Sequence, residues 1–187
     1  MTPTGNTHQQ DDGRPAHEWW EDPELAAAVA EAEQFAADAG WDSPPRLFAL
    51  VTTAELRRSQ PELADHLAEN GTFTPIIQDE LPGSDLEQAL AGISWPAAVV
   101  GCVLIQEILV LPPDVGDELS GDPATAAAKA AAHPSRTEAR LTAGVLRDSP
   151  GGACLLRIRP TAEPLPQPLR GADLAPGLLA ALHATFG

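Results

Sequence analysis

Apolar residues between positions 25 and 39 recur with a helical period. Leu25 and Val29 are followed by Ala32 and two further alanines, at intervals of three or four residues, as on one face of an amphipathic helix. Asp22 is a suitable N-cap, the proline after it fits the first helical position, and Gly40 is a suitable C-terminal stop. This pattern predicts a first helix between Asp22 and Gly40.

Three apolar runs predict strands. Residues 46–51 have the pattern of a buried strand, and residues 97–111 are apolar at both odd and even positions, which predicts a strand covered on both faces. Residues 73–78 form a shorter run that contains Pro75. Because proline has no N–H to donate to a strand ladder, Pro75 favours a position at the edge of a sheet.

A hairpin is predicted towards the C-terminus. Leu141, Ala143 and Val145 share one face of residues 136–147, and residues 153–159 alternate in the same way. The segment between these two runs has the composition of a turn. Together with residues 97–111, the hairpin predicts a three-stranded antiparallel meander.

Polar residues at helix-start spacing indicate further helices. Capping boxes, in which Ser or Thr precedes Glu by three residues, begin at Thr52, Ser59 and Ser84. Asp173 is predicted to cap a final helix, whose apolar stripe ends at Phe186. The predicted order is α-β-α-β-α-β-β-β-α. This is an α+β fold, in which helices pack on an antiparallel sheet with a C-terminal three-stranded meander.

The remaining segments set the limits of the domain. Residues 1–19 are polar and cannot bury apolar area, so we expect a disordered tail. Residues 20–187 are long enough to form a single α+β domain with its own core. Within this domain, residues 112–135 are rich in Asp, Ala and Pro, which predicts an acidic loop with a short helix over residues 124–132.

The formal net charge of the 187-residue chain is −16, and the charge is unevenly distributed. Residues 1–135 carry 23 acidic and 5 basic side chains, whereas residues 136–187 carry 4 acidic and 6 basic ones. The overall negative charge argues against nucleic acid and against anionic membranes as partners. The sequence has no apolar run of membrane-spanning length and no evident signal peptide, so we expect a cytoplasmic protein.

The sequence contains none of the common catalytic or cofactor motifs. The five histidines do not pair at metal-binding spacing, and there is no HExxH or CxxC motif. A glycine-rich phosphate loop and a GxSxG nucleophile elbow are also absent. Cys102 and Cys154 lie in apolar runs, which predicts small buried hydrophobic residues that could stand on neighbouring strands. We therefore expect neither a cofactor nor a metal.

Four side chains are candidates for acid/base chemistry. Glu107 interrupts the most apolar segment of the chain, where an uncompensated carboxylate would be costly. Asp79 and Glu80 follow a predicted strand, and His133 lies near the end of the acidic loop. Two explanations for Glu107 stay open. It contacts solvent or an arginine of the hairpin, or it transfers a proton or anchors a ligand.

Arginines distinguish the hairpin from the rest of this acidic chain. Their positions predict that one hairpin face belongs to the core and that the other carries several guanidinium groups. These groups have two possible roles: pairing with acidic residues of the same chain, or docking an acidic partner or anionic ligand. The candidate binding residues are Arg136, Arg140, Arg147, Arg157 and Arg159.

Six short motifs are spread over most of the chain: PRLFALV at 45–51, TAEL at 53–56, ISWP at 93–96, LVLPP at 109–113, HP at 133–134 and GVLRD at 144–148. Together they resemble an uncharacterised family of acidic actinobacterial proteins of similar length. The resemblance covers about residues 22–187 and implies an actinobacterial source, which the abundance of Ala, Pro and Arg also favours. It brings no established activity and no functional residue.

The sequence favours a non-enzymatic protein-binding or adaptor module that uses the arginine-bearing hairpin. The absence of catalytic motifs and the charge contrast between the two parts of the chain support this hypothesis. The expected partner is an acidic protein or a second copy of the chain. Two alternatives stay open: a small enzyme with carboxylate chemistry near Glu107, and a homo-oligomeric structural protein that associates through residues 97–111.

Overall fold

A computed structural model describes residues 22–67, 71–82, 85–112, 122–161 and 166–187. The strands are β1 (Arg46–Thr52), β2 (Phe73–Ile77), β3 (Gly101–Val110), β4 (Thr137–Leu146), β5 (Gly152–Ile158) and β6 (Leu169–Arg170). The helices are α1 (Pro23–Ala39), α2 (Thr53–Ser59), α3 (Leu86–Ala91), α4 (Pro123–Ala132) and α5 (Pro176–Ala184). The strands form one antiparallel sheet with the order β2-β1-β3-β4-β5-β6.

The predicted α+β fold and its C-terminal meander are confirmed. β3, β4 and β5 are consecutive neighbours in the sheet, and Leu141 of β4 lies opposite Gln106 of β3 and Leu156 of β5. β2 forms one edge of the sheet, as Pro75 predicted. The short strand β6 at the other edge was not predicted, because it follows a proline-rich segment with no alternating pattern.

Helices cover both faces of the sheet, which gives the sheet two cores. The core beneath α1 contains Leu25, Val29, Leu50, Val103 and Leu155, and the core beneath α3 and α5 contains Leu90, Leu104, Val145, Leu179 and Leu182. Alternate residues of β3 enter the two cores, so the prediction of a strand covered on both faces is confirmed. That strand begins at Gly101 rather than at residue 97, because residues 97 and 98 form a turn.

α1 lies close to the sheet where β4 has a glycine. A Cβ at Gly144 would be only 2.6 Å from Cγ2 of Val29 and 3.1 Å from Cγ2 of Val103. No side chain fits in this space, so Gly144 allows the helix to pack directly on the strand. One helical turn after Val29, the same close approach brings Glu33 of α1 down to the sheet.

The helix ends agree with the predictions in part. Asp22 caps α1 by accepting hydrogen bonds of 3.0 Å from two backbone N–H groups. The N-cap of α3 is Asp85, and the predicted capping residue Ser84 lies outside the described residues. α5 begins at Pro176, so the prediction that Asp173 caps it is wrong. Asp173 instead lies in a separate 3-10 turn at Ala172–Leu174.

Parts of two predicted segments lie outside the described residues. These parts are the N-terminal tail, residues 1–19, and residues 113–121 of the predicted loop 112–135. The described remainder of that loop contains α4, which begins after its N-cap Asp122. None of the described helices has the length and apolar character needed to cross a bilayer.

The two cysteines enter the same core from different strands. Cys102 lies on β3 and Cys154 on β5, and β4 separates them, so they are not on neighbouring strands. Strands two positions apart are about 10 Å from each other, which is too far for a disulfide bond. Burial raises the pKa of Cys102 to about 12 and that of Cys154 to about 11. Both thiols therefore stay protonated and act as small hydrophobic residues.

Candidate functional site

Three charged residues lie side by side across the meander. Glu107 of β3 is opposite Arg140 of β4, and Arg140 is opposite Arg157 of β5. Strand alternation places all three side chains on the face that α1 covers. A pair of arginines directly opposite each other is unfavourable unless an anion lies between or above them. The row therefore needs a further carboxylate from outside the meander.

Glu33 of α1 supplies that carboxylate. Nε and Nη2 of Arg157 donate hydrogen bonds of 2.6 and 2.8 Å to the two oxygens of Glu33. Nη1 of Arg140 lies 3.9 Å from Oε1 of Glu33, and the two side chains are only 2% and 3% exposed. The hydrogen bond with Glu33 raises the pKa of Arg157. Glu33 therefore joins two arginines of the hairpin to the helix above them.

Arg140 and Glu107 also hold the turn that follows α1. Nη2 of Arg140 donates a hydrogen bond to the backbone carbonyl of Gly40 and lies 3.5 Å from Oε1 of Glu107. Glu107 in turn accepts a 2.9 Å hydrogen bond from the N–H of Asp42 and a 3.4 Å one from that of Ser43. Glu107 therefore contacts an arginine of the hairpin, which agrees with the first of the two explanations that the sequence left open.

Arg159 closes the same turn from the other side. Its guanidinium group donates hydrogen bonds of 2.9 and 2.8 Å to the two oxygens of Asp42 and one of 2.6 Å to Glu138. This pairing lowers the pKa of Asp42 and raises that of Arg159. The guanidinium carbons of Arg140 and Arg159 lie 4.4 and 5.4 Å from the ring centre of Trp41. Trp41 is thus held by two cation–π contacts.

These contacts join charged residues of four elements and two connecting segments into one network, which we call the ion-pair cluster. Its members are Glu33, Asp42, Glu107, Glu138, Arg140, Arg157 and Arg159. Four carboxylates face three guanidinium groups, so the cluster has no excess of positive charge. Its direct structural effect is to fix α1 and the following turn on the meander.

The other two predicted arginines make no ion pair with the cluster within the described residues, although Arg136 lines a cavity of about 570 Å³ together with Glu138 and Arg159. Arg147 is on the opposite side of the sheet, where its Nη2 donates to the carbonyls of Trp95 and Pro96 at 3.4 and 3.1 Å. Its guanidinium carbon lies 5.0 Å from the ring centre of Phe186. Arg136 precedes β4 and is exposed, and its side chain has no partner among the described residues. The five arginines therefore do not form one surface.

The four candidates for acid/base chemistry are not brought together. The cavity beside Glu107 has a volume of only about 10 Å³, and Asp79, Glu80 and His133 do not line it. Asp79 and Glu80 are exposed beyond β2, two strands away from β3. The Nδ1 atom of His133 accepts a hydrogen bond of 3.1 Å from the N–H of Ser135. No group of three His, Cys, Asp or Glu within the described ranges is arranged to hold a metal ion.

A different surface presents exposed apolar side chains. Among the described residues, five large hydrophobic side chains are exposed, and two of them face the same side of the sheet: Phe35 of α1 (47%) and Ile77 of β2 (46%). A cleft of about 140 Å³ runs between the two elements. We call it the α1–β2 groove, and its lining residues are Glu31, Ala32, Phe35, Phe48, Pro75 and Ile77.

The groove combines an aromatic contact with an acid that has no cationic partner among the described residues. Phe35 contacts Phe48 edge-on, with 5.8 Å between the ring centres, and Ile77 lies opposite Phe48 in the strand ladder. Glu31 lies one helical turn before Phe35. Burial raises the pKa of Glu31, and no cation in the described part of the chain pairs with it. One sequence signal pointed here: Phe35 is an aromatic residue outside the apolar stripe of α1.

The outer edge of β2 borders the groove and is unpaired within the described sheet. The N–H of Gln78 donates to Leu47 and the carbonyl of Thr72 accepts from Thr53, both at 2.9 Å. Since backbone groups alternate in direction, Phe73, Pro75 and Ile77 point their backbone groups away from β1. A set of outward groups remains for a further strand, namely two N–H and three C=O groups.

The chain belongs to the family of PPA1309-like proteins, whose model matches residues 25–187. This match confirms the resemblance to an uncharacterised family, and the actinobacterial source stays a prediction. Searches of the curated proteins and of the solved structures find no significant match.

Proposed function

Because membership of the PPA1309-like family names no activity, we propose from the geometry that this protein is a non-enzymatic protein-binding module, and that it docks a partner protein in the α1–β2 groove. The observation that carries the proposal is the exposure of Phe35 and Ile77 in one groove beside the edge strand of the described sheet, which has no neighbour there on its outer side. Contiguous exposed apolar surface and open sheet edges are typical of protein-binding sites.

An acidic partner on the hairpin arginines has less support. Glu33, Asp42 and two further carboxylates already pair with Arg140, Arg157 and Arg159. Docking there would require the partner to replace these internal ion pairs. Arg136 lines a cavity of about 570 Å³ with Arg159 and Glu138, but those two residues already pair with each other, and one further exposed charge contributes little to binding.

Self-association and catalysis also have less support. Two copies of a chain with a net charge of −16 repel each other. A second β2 would also lack a donor at its Pro75, so an edge-to-edge ladder would lose hydrogen bonds from both strands. For catalysis, Glu107 is already engaged by backbone N–H groups and by Arg140, and no other candidate acid or base lines its cavity.

A matched pair of charge substitutions tests the proposal. Ile77→Lys places a cation in the groove, and Leu169→Lys places one on a similarly exposed hydrophobic residue at the opposite sheet edge. Wild type and both variants are immobilised, and the proteins that each retains from a lysate of the source organism are identified by mass spectrometry. Thermal unfolding followed by circular dichroism confirms that both variants fold.

We expect at least one protein that binds the wild type and Leu169→Lys and is lost from Ile77→Lys. Because both substitutions change the net charge equally, a general charge effect would alter the two variants alike. Identical sets of bound proteins on all three baits would contradict docking in the α1–β2 groove.

A further inference from the structure

We infer that the partner enters the α1–β2 groove as an extended segment that adds a strand to β2, with an apolar side chain and a lysine or arginine separated by one residue. The inference rests on the proposed function and specifies the partner of the same surface. It follows from three properties of the groove: its backbone edge, its spacing and its charge.

The backbone edge favours an extended segment over a helix. Phe73 and Ile77 each direct an N–H and a C=O away from β1, and Pro75 directs a C=O. A helix satisfies its own backbone groups and would leave these groups to water, whereas a strand pairs with them. Pro75 removes the central donor, so the added ladder is incomplete and its affinity depends on side chains in the groove.

The spacing of the groove matches alternate residues of a strand. α1 begins over Gly144 and ends near Arg140, so it runs antiparallel to β4 and in the same direction as β2. Glu31 and Phe35 are one helical turn apart, about 5–6 Å, and Pro75 and Ile77 are about 7 Å apart. Glu31 is therefore beside Pro75, and Phe35 is beside Ile77.

An added strand continues this arrangement outwards. Its side chains alternate between the two sheet faces, so two groove-facing residues are separated by one that faces away. The groove-facing residue next to Phe35 and Ile77 meets apolar surface that is about half exposed. The other groove-facing residue is next to Pro75 and within reach of Glu31 if its side chain is long.

The charge of the groove selects that second residue. Glu31 is partly desolvated by its neighbours, which raises its pKa, and no cation among the described residues offsets that cost. A lysine or arginine of the partner would supply the missing cation, and an acidic residue would be repelled. Asp79 and Glu80, exposed just beyond the end of β2, add to the preference for a basic segment.

Selection from a random heptapeptide library displayed on phage tests the inference. The library is selected separately on the full-length wild type, on Glu31→Lys and on Ile77→Lys. We expect wild type to enrich peptides in which a Lys or Arg and an apolar residue are separated by one position. We expect Glu31→Lys to enrich Asp or Glu at that basic position, and Ile77→Lys to enrich neither set.

The most enriched peptide, synthesised and labelled, then gives the size of each contribution by fluorescence anisotropy. Removing an exposed ion pair with Glu31→Gln should weaken binding by about 2- to 5-fold. Ile77→Lys should weaken it by at least about 10-fold, because it places a charge on the apolar contact. Leu169→Lys should leave the affinity unchanged.

The outcomes separate this inference from the proposed function. Failure of wild type to enrich any peptide would overturn the extended segment, and the bait comparison with Ile77→Lys would still decide whether proteins dock in the groove. A third outcome is that wild type and Glu31→Lys enrich the same peptides and that these peptides do not bind Ile77→Lys. That result would contradict only the part of the inference that assigns a basic residue to the partner. Enriched peptides that bind Ile77→Lys as well as wild type would contradict both.

Discussion

The guanidinium group of Arg157 on β5 donates two hydrogen bonds, 2.6 and 2.8 Å long, to the carboxylate of Glu33 on α1. The two residues are 124 positions apart in the sequence. Glu33 is buried against the sheet, so this pair is shielded from water far more than a surface ion pair. Bidentate, partly buried pairs of this kind hold elements together in a defined orientation.

A double-mutant cycle should reveal strong coupling between Glu33 and Arg157. We expect the single and double alanine variants to give a coupling free energy of about 1.5–3 kcal/mol in denaturant unfolding, because both hydrogen bonds join charged groups. The control is the Glu55–Arg58 pair on α2, which is also in direct contact but exposed. Its coupling should be below about 0.5 kcal/mol. Equal coupling in the two cycles would contradict a stabilising role of the ion-pair cluster.

Two arginines of the hairpin should differ sharply in their effect on stability. Arg140→Ala removes the buried cation that faces Glu33 and Glu107, so we expect the free energy of unfolding to fall by about 3–5 kcal/mol. Arg136→Ala removes an exposed side chain, and the change should stay within about 0.5 kcal/mol. Urea unfolding followed by circular dichroism measures both. If Arg140→Ala left the free energy of unfolding unchanged, the ion pairs of Arg140 would not hold the turn after α1.

Adding one methyl group should distinguish two glycines. In Gly144→Ala the new Cβ meets Val29 and Val103, so α1 must move away from the sheet, and we expect a loss of about 1–3 kcal/mol. In Gly177→Ala the new Cβ has no neighbour within 4 Å and lies in α5. That variant should be neutral or more stable by up to about 1 kcal/mol. The midpoint of thermal unfolding should fall for the first variant only.

Acid should weaken the turn that Arg159 holds. Arg159 lowers the pKa of Asp42 from its ordinary value of 3.8 in the folded protein. The contribution of Asp42 is therefore complete above about pH 4 and is lost as the pH falls through the lowered pKa. We expect unfolding free energy to fall less between about pH 4 and pH 2 in Asp42→Asn than in the wild type. Parallel pH profiles of the two proteins would contradict this assignment.

Patterns that depend on neighbouring residues were predicted well. The cap at Asp22, the alternation in β4 and β5, and the edge position of Pro75 each follow from a few adjacent residues. The prediction that one hairpin face is core and the other carries guanidinium groups was incomplete. The face with Arg140 and Arg157 is also a core face, because the apolar stripe of α1 packs on it.

The contacts that define the ion-pair cluster depend on strand register and on the placement of a distant helix. The sequence located Arg140, Arg157 and Glu107 but did not fix which residues lie opposite one another. The sequence did not distinguish Glu33 from the other acidic residues of α1, because only the position of Glu33 above the hairpin sets it apart. The α1–β2 groove was missed for the same reason, since it exists only because α1 and an edge strand meet.

The central claim is that a partner binds in the α1–β2 groove, whereas the hairpin arginines stabilise the fold. Amide hydrogen exchange tests it most directly, measured with and without a saturating concentration of the most enriched peptide. We predict slower exchange at the outward N–H groups of Phe73 and Ile77 when the peptide binds. Exchange in the hairpin from Thr137 to Ile158 should stay unchanged. Slower exchange confined to that hairpin, with Phe73 and Ile77 unaffected, would contradict the account.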